Sequence, residues 1–244
     1  MNCIGLIPVR LHSKRLKKKA LLKINNVPMI VHTYKRAKLS NKLDDVIVCI
    51  ESKEIEKVLK KYKVQYVFTS KKHKNGTERI AEVAKKIKAE IFVDIQGDEP
   101  LIDPKNIDKL IEFHKKNKQF DIVVPYLKSD YINNEHVVKI VKDKKNKILY
   151  FSRATIPHCF TKKPNKIYKH LSIISFTKEA LIKFSKLKPS YLEKIEGIEL
   201  MRALEHSMKL GTFEAIGDSF SVDKIEDYNK AIIQIQNDPI SKLY

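Results

Sequence analysis

Short apolar runs alternate with amphipathic stretches along the amino-terminal half of this chain. Apolar side chains crowd together at 3–9, 45–51, 64–69, 90–96 and 121–126, and each run predicts a buried strand. Between them, apolar positions return every three or four residues at 28–39, 52–62, 77–88 and 104–117, the spacing of a helix with one buried face. Strands that alternate with helices join through crossovers, so the expected class is α/β, a mostly parallel sheet with helices on both faces. The pattern changes beyond residue 130. Val137-Val138-Lys139-Ile140-Val141 and Ile148-Leu149-Tyr150-Phe151 flank the turn-prone Asp143-Lys144-Lys145-Asn146, which predicts a hairpin or adjacent antiparallel strands. A further strand is expected at 169–176, followed by a helix at 177–186. Leu192, Ile195, Ile198, Met201 and Leu204 then mark one face of a single helix, with Glu193, Glu196, Glu199 and Arg202 winding around its mostly solvated rim. A last helix is expected at 224–237. The polar stretch 160–168 reads as a mobile loop, and with no linker or repeat in sight one domain is expected over 1–244.

The residues that can carry chemistry gather where strands end, which is where open parallel sheets bind ligands. After Ile91-Phe92-Val93 comes Asp94-Ile95-Gln96-Gly97-Asp98-Glu99-Pro100. Strand alternation puts Asp94, Gln96 and Asp98 on one face, and Gly97 lets the backbone turn or approach a ligand closely. Carboxylates in such a crevice suit Mg²⁺, which binds through one or two acidic groups and phosphate oxygens; a solvated strand-end turn is the plainer alternative. The first strand likewise opens into a basic loop, with six cations between Arg10 and Lys19. Arg10 and Arg15 can grip phosphate oxygens with two donors each, and Lys19 can act as a point charge on a leaving group, although a solvated basic loop would contain the same residues. A third segment, His73-Lys74-Asn75-Gly76-Thr77-Glu78-Arg79, combines a turn signal with Thr77 as a helix cap, so that the first amides of the next helix face a ligand. Neither a Walker loop nor a dinucleotide fingerprint occurs among the six glycines.

Composition narrows the classes. A chain of 244 residues can bury the core of one large α/β domain. It has no run of about 18 apolar residues, and its first apolar run is too short for a signal peptide, so neither a membrane span nor export is expected and the cytoplasm is the expected compartment. Cys3, Cys49 and Cys159 are scattered and odd in number, which favours free thiols. The net charge of +20 invites a nucleic-acid reading, but the 49 cations are spread along the chain, mostly as Lys, without a recognition motif. No nucleic-acid partner is expected; the charge serves at most to concentrate small anions.

Ile7-Pro8-x-Arg10-x-x-Ser13-x-Arg15-Leu16, Gly76-Thr77-Glu78-Arg79, Gln96-Gly97-Asp98-Glu99-Pro100, Phe151-Ser152-Arg153-x-x-Ile156-Pro157 and Lys169-His170-Leu171 stand in the order and spacing of the CMP-Kdo synthetases. From its first strand to about residue 235 the chain resembles that family, the 3-deoxy-manno-octulosonate cytidylyltransferases of Gram-negative bacteria. The resemblance implies a Rossmann-like nucleotidyltransferase fold whose antiparallel region at 130–160 serves dimerisation and the sugar side, hence a homodimer. It implies transfer of CMP from CTP to the anomeric hydroxyl of an acidic 3-deoxy-ulosonic sugar, with pyrophosphate released, to activate the sugar for lipopolysaccharide or capsule. By the family pattern Asp98 and Asp223 hold Mg²⁺, and Lys19 joins them as a catalytic group. Arg10, Ser13, Arg15, Lys19, Asn75, Gly76, Thr77 and Arg79 bind the nucleotide. Gln96, Arg153, His170 and Glu199 contact the sugar acid. Asp223 can equally be an N-cap of the last helix.

Three departures touch this pattern. Ile174 stands where the family has Tyr, Leu200 where it has Gln, and Lys17-Lys18-Lys19-Ala20 where it has Pro-Gly-Lys-Pro. The first two replace hydrogen-bonding groups in the sugar half by apolar ones, which suggests a different or modified octulosonic or nonulosonic acid as an alternative substrate. The third makes the Lys19 loop less rigid. A non-enzymatic basic binding protein on the same fold is the remaining alternative.

Overall fold

A computed structural model describes residues 2–11, 15–130, 133–162, 164, 166–218 and 221–244. Ser13 lies outside the described residues, as do residues 163 and 165 of the expected loop at 160–168. The chain opens with β1 (Cys3–Pro8), a short ribbon of β2 (Lys23–Ile24) and β3 (Val27–Pro28), and α1 (Met29–Lys38). Then follow β4 (Asp45–Ile50), α2 (Lys53–Lys61), β5 (Tyr66–Phe68), α3 (Gly76–Lys86), β6 (Ile91–Ile95) and α4 (Pro104–Lys116). Next come β7 (Ile122–Val123), β8 (Tyr126–Ser129), β9 (Lys139–Lys142), β10 (Ile148–Ser152), β11 (Ile167–His170) and β12 (Ile173–Thr177). The chain ends with α5 (Lys178–Lys186), α6 (Tyr191–Glu196), α7 (Met201–Glu205), β13 (Leu210–Gly211) and α8 (Ile225–Asn237), followed by a 3-10 turn.

Seven strands form the main sheet in the order β13-β7-β12-β6-β1-β4-β5. Neighbours are parallel except where β12 runs antiparallel between β6 and β7. Apolar faces of α1, α2 and α4, including Ile30, Ile55, Leu59, Ile107 and Leu110, pack on one side. Ile80 and Val83 of α3, Leu181 and Phe184 of α5, and Met201 of α7 pack on the other. This is the two-sided α/β sheet that the alternation of patterns predicts. A smaller sheet, β10-β9-β11-β8, is antiparallel and holds the predicted hairpin as β9 and β10.

Several expected elements divide, each for a physical reason. The strand expected at 121–126 stops in the main sheet at Val123 and resumes as β8 in the small one; Pro125 lies between and has no N–H for a ladder. The strand expected at 169–176 is two strands, β11 in the small sheet and β12 in the main one, and residues 167 and 168 belong to β11 rather than to a loop. The helix expected across Leu192 to Leu204 is broken at Gly197, whose φ of +62° ends α6 in the left-handed region. Its charged residues are not a solvated rim. Arg202 is 3% exposed and donates to both Glu193 oxygens at 2.7 and 2.5 Å, while Glu196 accepts from Ser152 Oγ at 2.7 Å and Arg153 N at 2.9 Å. Cys3, Cys49 and Cys159 are free thiols. Among the described residues no helix is long and apolar enough to cross a membrane.

Candidate active site

The carboxyl ends of β1, β4 and β6 open into a cleft of about 650 Å³. Close backbone approach shapes its floor. A Cβ on Gly97 would stand 3.1 Å from Val9 Cγ2, and one on Gly76 would stand 3.0 Å from Pro8 Cγ, so both turns press against the end of β1 and a side chain at either would push it back by a few tenths of an ångström. Asn75, not Thr77, caps α3: its side chain accepts from Glu78 N at 2.8 Å, which leaves Thr77 free for another partner.

Opposite charges meet on one wall. Lys19 Nζ lies 2.5 Å from Asp98 Oδ2 and 3.1 Å from Asp223 Oδ1, and Arg15 Nη2 lies 2.8 Å from Asp223 Oδ1. The two carboxylates come from distant parts of the chain, joined by a bond from Val222 N to the Asp98 carbonyl at 2.9 Å. The N-cap of α8 is Lys224, not Asp223, and Asp227 at the third helical position accepts from the backbone N–H groups of both Asp223 and Lys224, so the Asp223 carboxylate is left to the cleft. Burial disfavours the Lys19 ammonium, but Asp98 and then Asp223 outweigh it and hold its pKa above the ordinary lysine value. Lys18, in the family's Gly position, has φ +51°, left-handed backbone that favours glycine. Among the described residues no group of three potential ligands forms a metal cluster. Two carboxylates converging on one cation nevertheless fit an ion that completes its shell with phosphate oxygens and water.

Arg10, Arg15, Lys19, Asn75, Gly76, Arg79, Gln96, Asp98 and Asp223 all line the cleft. Arg79 does so differently from expectation, because its guanidinium is already engaged. It is 4% exposed, donates to Thr69 Oγ1 at 2.5 Å and pairs with Glu51, whose other oxygen accepts from Leu11 N at 3.3 Å. The geometry makes Arg79 a brace that ties α3 to the start of the basic loop. Sequence reading missed Glu51 and His73, which also line the cleft. Glu51 carried the same signal as Asp98, an acidic residue directly after an apolar strand; His73 Nε2, 2.6 Å from Glu82 Oε2, carried no signal beyond its nearness to Asn75-Gly76.

The residues assigned to the sugar lie mostly behind this cleft. Gln96 lines it, and its Nε2 donates to Asp94 Oδ1 at 3.0 Å. Thr77 Oγ1 donates to Glu199 Oε2 at 3.2 Å, whereas Glu199 Oε1 is buried without a hydrogen bond, 3.8 Å from Arg202 Nη2. Burial raises the Glu199 pKa, and Arg202 offsets this only in part. Arg153 does not reach the cleft: its guanidinium donates to the carbonyls of Glu196 at 2.9 Å and Glu135 at 3.1 Å. His170 is also outside the cleft lining; its ring packs edge-on to Phe151, and burial, then Lys169 and Arg153, draw its pKa down to about 4. Ile174 stands beside Asp94 across the β12·β6 ladder, and Leu200 is 4% exposed inside the core rather than in the cleft.

Comparison with known proteins places this geometry. A family model described as Cytidylyltransferase matches residues 4–210. A 3-deoxy-manno-octulosonate cytidylyltransferase of Chlorobium limicola is 39% identical over 235 residues, covering 93% of this chain and 94% of that protein. Its namesake from Fusobacterium nucleatum is 37% identical over 246 residues, covering 98% and 99%. The structure of CMP:2-keto-3-deoxy-manno-octonic acid synthetase complexed with CTP superposes with a TM-score of 0.93 at 27% identity, covering 97% of this chain and 99% of that one. A putative glucose-1-phosphate thymidylyltransferase from Bacillus anthracis, at 17% identity and a TM-score of 0.65, shares the fold alone. These likenesses set aside the reading of a non-enzymatic binding protein. The chain belongs to the cytidylyltransferase family, as an enzyme of the 3-deoxy-manno-octulosonate cytidylyltransferase type.

Proposed function

We propose that the protein transfers CMP from CTP to the anomeric hydroxyl of 3-deoxy-manno-octulosonate and releases pyrophosphate, with Mg²⁺ as its metal. The observation that carries this reading is the meeting of Asp98 and Asp223 on Lys19, beside Arg15, at the carboxyl end of the sheet. The anomeric hydroxyl gives up its proton to solvent as its oxygen bonds to the α-phosphorus, while the bond to the β-phosphate oxygen breaks and pyrophosphate departs. Arg10, Arg15 and Lys19 hold the triphosphate, and Lys19 balances the charge that builds on the departing pyrophosphate. Asp98 and Asp223 hold the metal. When bound, Mg²⁺ withdraws charge from the α-phosphate and lowers the pKa of a hydroxyl beside it. No protein nucleophile takes part, so the rate comes from positioning and electrostatics.

Ser13, Asn75, Gly76 and Thr77 belong to the nucleotide side in this reading, with Arg79 as their brace. Gln96 and Glu199 serve the sugar acid, and Arg153 and His170 shape its outer wall. The orphaned Glu199 Oε1 supports this assignment, since a substrate hydroxyl would supply the missing donor. Dimerisation through the small sheet belongs to the same proposal: β10 is its edge and carries Leu149, which is 51% exposed. So do a cytoplasmic location and a product destined for lipopolysaccharide or capsule. One observation favours a second reading for the sugar. Ile174 places an apolar side chain beside Asp94, which suits an octulosonic or nonulosonic acid with a deoxy or acylated position. Pyrophosphate release with CTP, Mg²⁺ and a panel of ulosonic acids tests both. Turnover of the unmodified sugar supports the first, preference for a modified one the second, and no turnover with any sugar rejects the function.

A further inference from the structure

Asp94 takes no part in the reaction as proposed, yet it lies directly beneath it. Its carboxyl is 2% exposed near the end of β6, and among the described residues no cation pairs with it. Leu6 of β1 and Ile174 of β12 stand opposite it in the two flanking ladders and wall it in with apolar side chains. The bond it accepts comes from Gln96 Nε2, at 3.0 Å. A side-chain amide has a donor end and an acceptor end, so a bond at one end decides what the other offers. With Nε2 turned to Asp94, the end left for the cleft is Oε1.

We propose that Asp94 is a positioning residue that fixes the Gln96 amide with its carbonyl toward the cleft, so that Gln96 accepts a hydrogen bond from a hydroxyl of the sugar acid. The inference rests on the reading of this cleft as a sugar nucleotidyl site. The bond from Gln96 favours the ionised acid and the surroundings favour the neutral one; a neutral carboxyl still keeps a carbonyl oxygen that accepts from Nε2. Burial first, then Glu199, Asp98 and Glu99, push the Asp94 pKa well up, while the Gln96 bond opposes them. Cys49 of β4, itself raised by burial and then by Asp94, adds no positive charge. A neutral acid has one acceptor and one donor, as does each orientation of an asparagine. Asp94→Asn therefore reproduces the arrangement, and Asp94→Leu removes it.

Steady-state kinetics and side-chain NMR test this together. Asp94→Leu should raise KM for the ulosonic acid about tenfold, the worth of one hydrogen bond, with KM for CTP and kcat within about twofold. Asp94→Asn should stay within about twofold throughout. Gln96→Leu should match Asp94→Leu, and the double variant should be no worse than either, because both break one device. The ¹H–¹⁵N signals of the Gln96 side-chain amide should exchange slowly in the wild type and in Asp94→Asn, and fast in Asp94→Leu. The NMR arm needs no sugar, so it separates failure of the positioning role from failure of the functional reading. Losses that add in the double variant, equal rises in both KM values, or an amide indifferent to residue 94 would each overturn the proposal. Should Asp94→Leu not fold, a tenfold rise in sugar KM for the folded Asp94→Asn would do so.

Discussion

The two halves of the cleft are made of different materials. On the nucleotide side, charged groups from separate loops face each other in partial contact with water: Arg15 is 61% exposed, Asp223 36% and Lys19 16%. On the sugar side, Asp94 is 2% exposed and accepts from Gln96 at 3.0 Å, while Glu199 accepts from Thr77 of the nucleotide side at 3.2 Å and keeps its other oxygen buried without a hydrogen bond. The first half reads charge, which acts over distance and survives small displacements. The second reads individual donors and acceptors, whose worth collapses once a partner is lost. Damage on the nucleotide side should therefore appear in the rate, and damage on the sugar side in selectivity and in the pH dependence of stability.

The largest expected effect tests the charged half. Asp98→Ala and Asp223→Ala should each lower turnover on the order of a thousandfold or more, since each removes a metal ligand and with it several kcal/mol of transition-state stabilisation. Both variants should remain folded, because the carboxylates are partly exposed and, among the described residues, pair with Lys19 and Arg15 at the cleft wall rather than with groups in the core. Pyrophosphate release across a Mg²⁺ titration is the measurement. Near-normal turnover in either variant at saturating metal would remove that residue from the metal site.

Arg79 probes the boundary between the halves. Arg79→Met leaves Glu51 buried without its partner, which should cost about 3–5 kcal/mol in urea unfolding. The double variant Arg79→Met, Glu51→Gln should recover much of that loss, because no orphan charge remains. Equal destabilisation of single and double variants would mean that the guanidinium acts by packing alone.

Arg79 also illustrates where sequence is readable. Dense apolar runs such as 3–9 and 90–96 predicted their strands, because a strand buried on both faces has only apolar neighbours. Asp98, Lys19 and Arg15 were legible as strand-end charges. A charged residue in the first turn of a helix, by contrast, looks solvated until its partner is known, and Glu51 lies 28 residues away from Arg79. Arg202 and Glu193 were misread for the same reason. The broken helix at Gly197 and the divided strand at Pro125 were written in the sequence, but the apolar spacing around each concealed the break.

The apolar positions of the sugar side separate two expectations that the sequence treated as one. Ile174→Tyr puts a phenol beside Asp94, and it should shift the ratio of kcat/KM values for unmodified and modified ulosonic acids about tenfold. Leu200→Gln should change that ratio little and instead lower stability by about 1–3 kcal/mol, because an amide would enter a site that is 4% exposed. A ratio that moves with Leu200→Gln and not with Ile174→Tyr would reverse this assignment.

The smallest effect is a pH dependence of stability, and its sign is fixed by His170. Its folded pKa of about 4 lies below the ordinary 6.5, so between these values the unfolded chain binds more protons than the folded one. The stability associated with a neutral His170 is complete above about pH 6.5 and is lost as the pH falls toward 4. Discounted for the ring's remaining contact with solvent, the loss should be about 1 kcal/mol. Asp94 and Glu199 act in the opposite sense: their raised pKa values retain protons in the folded state, so their contribution falls as the pH rises above the usual carboxylate range. The wild type alone would show only the sum of these terms. Urea midpoints of the wild type and His170→Asn, compared at pH 7 and pH 4.5, isolate the histidine, and the gap between the two proteins should narrow in the acid as the wild type loses its advantage. A gap of constant size would mean that the folded protein binds the His170 proton as readily as the unfolded chain does, so that its surroundings do not hold the ring neutral.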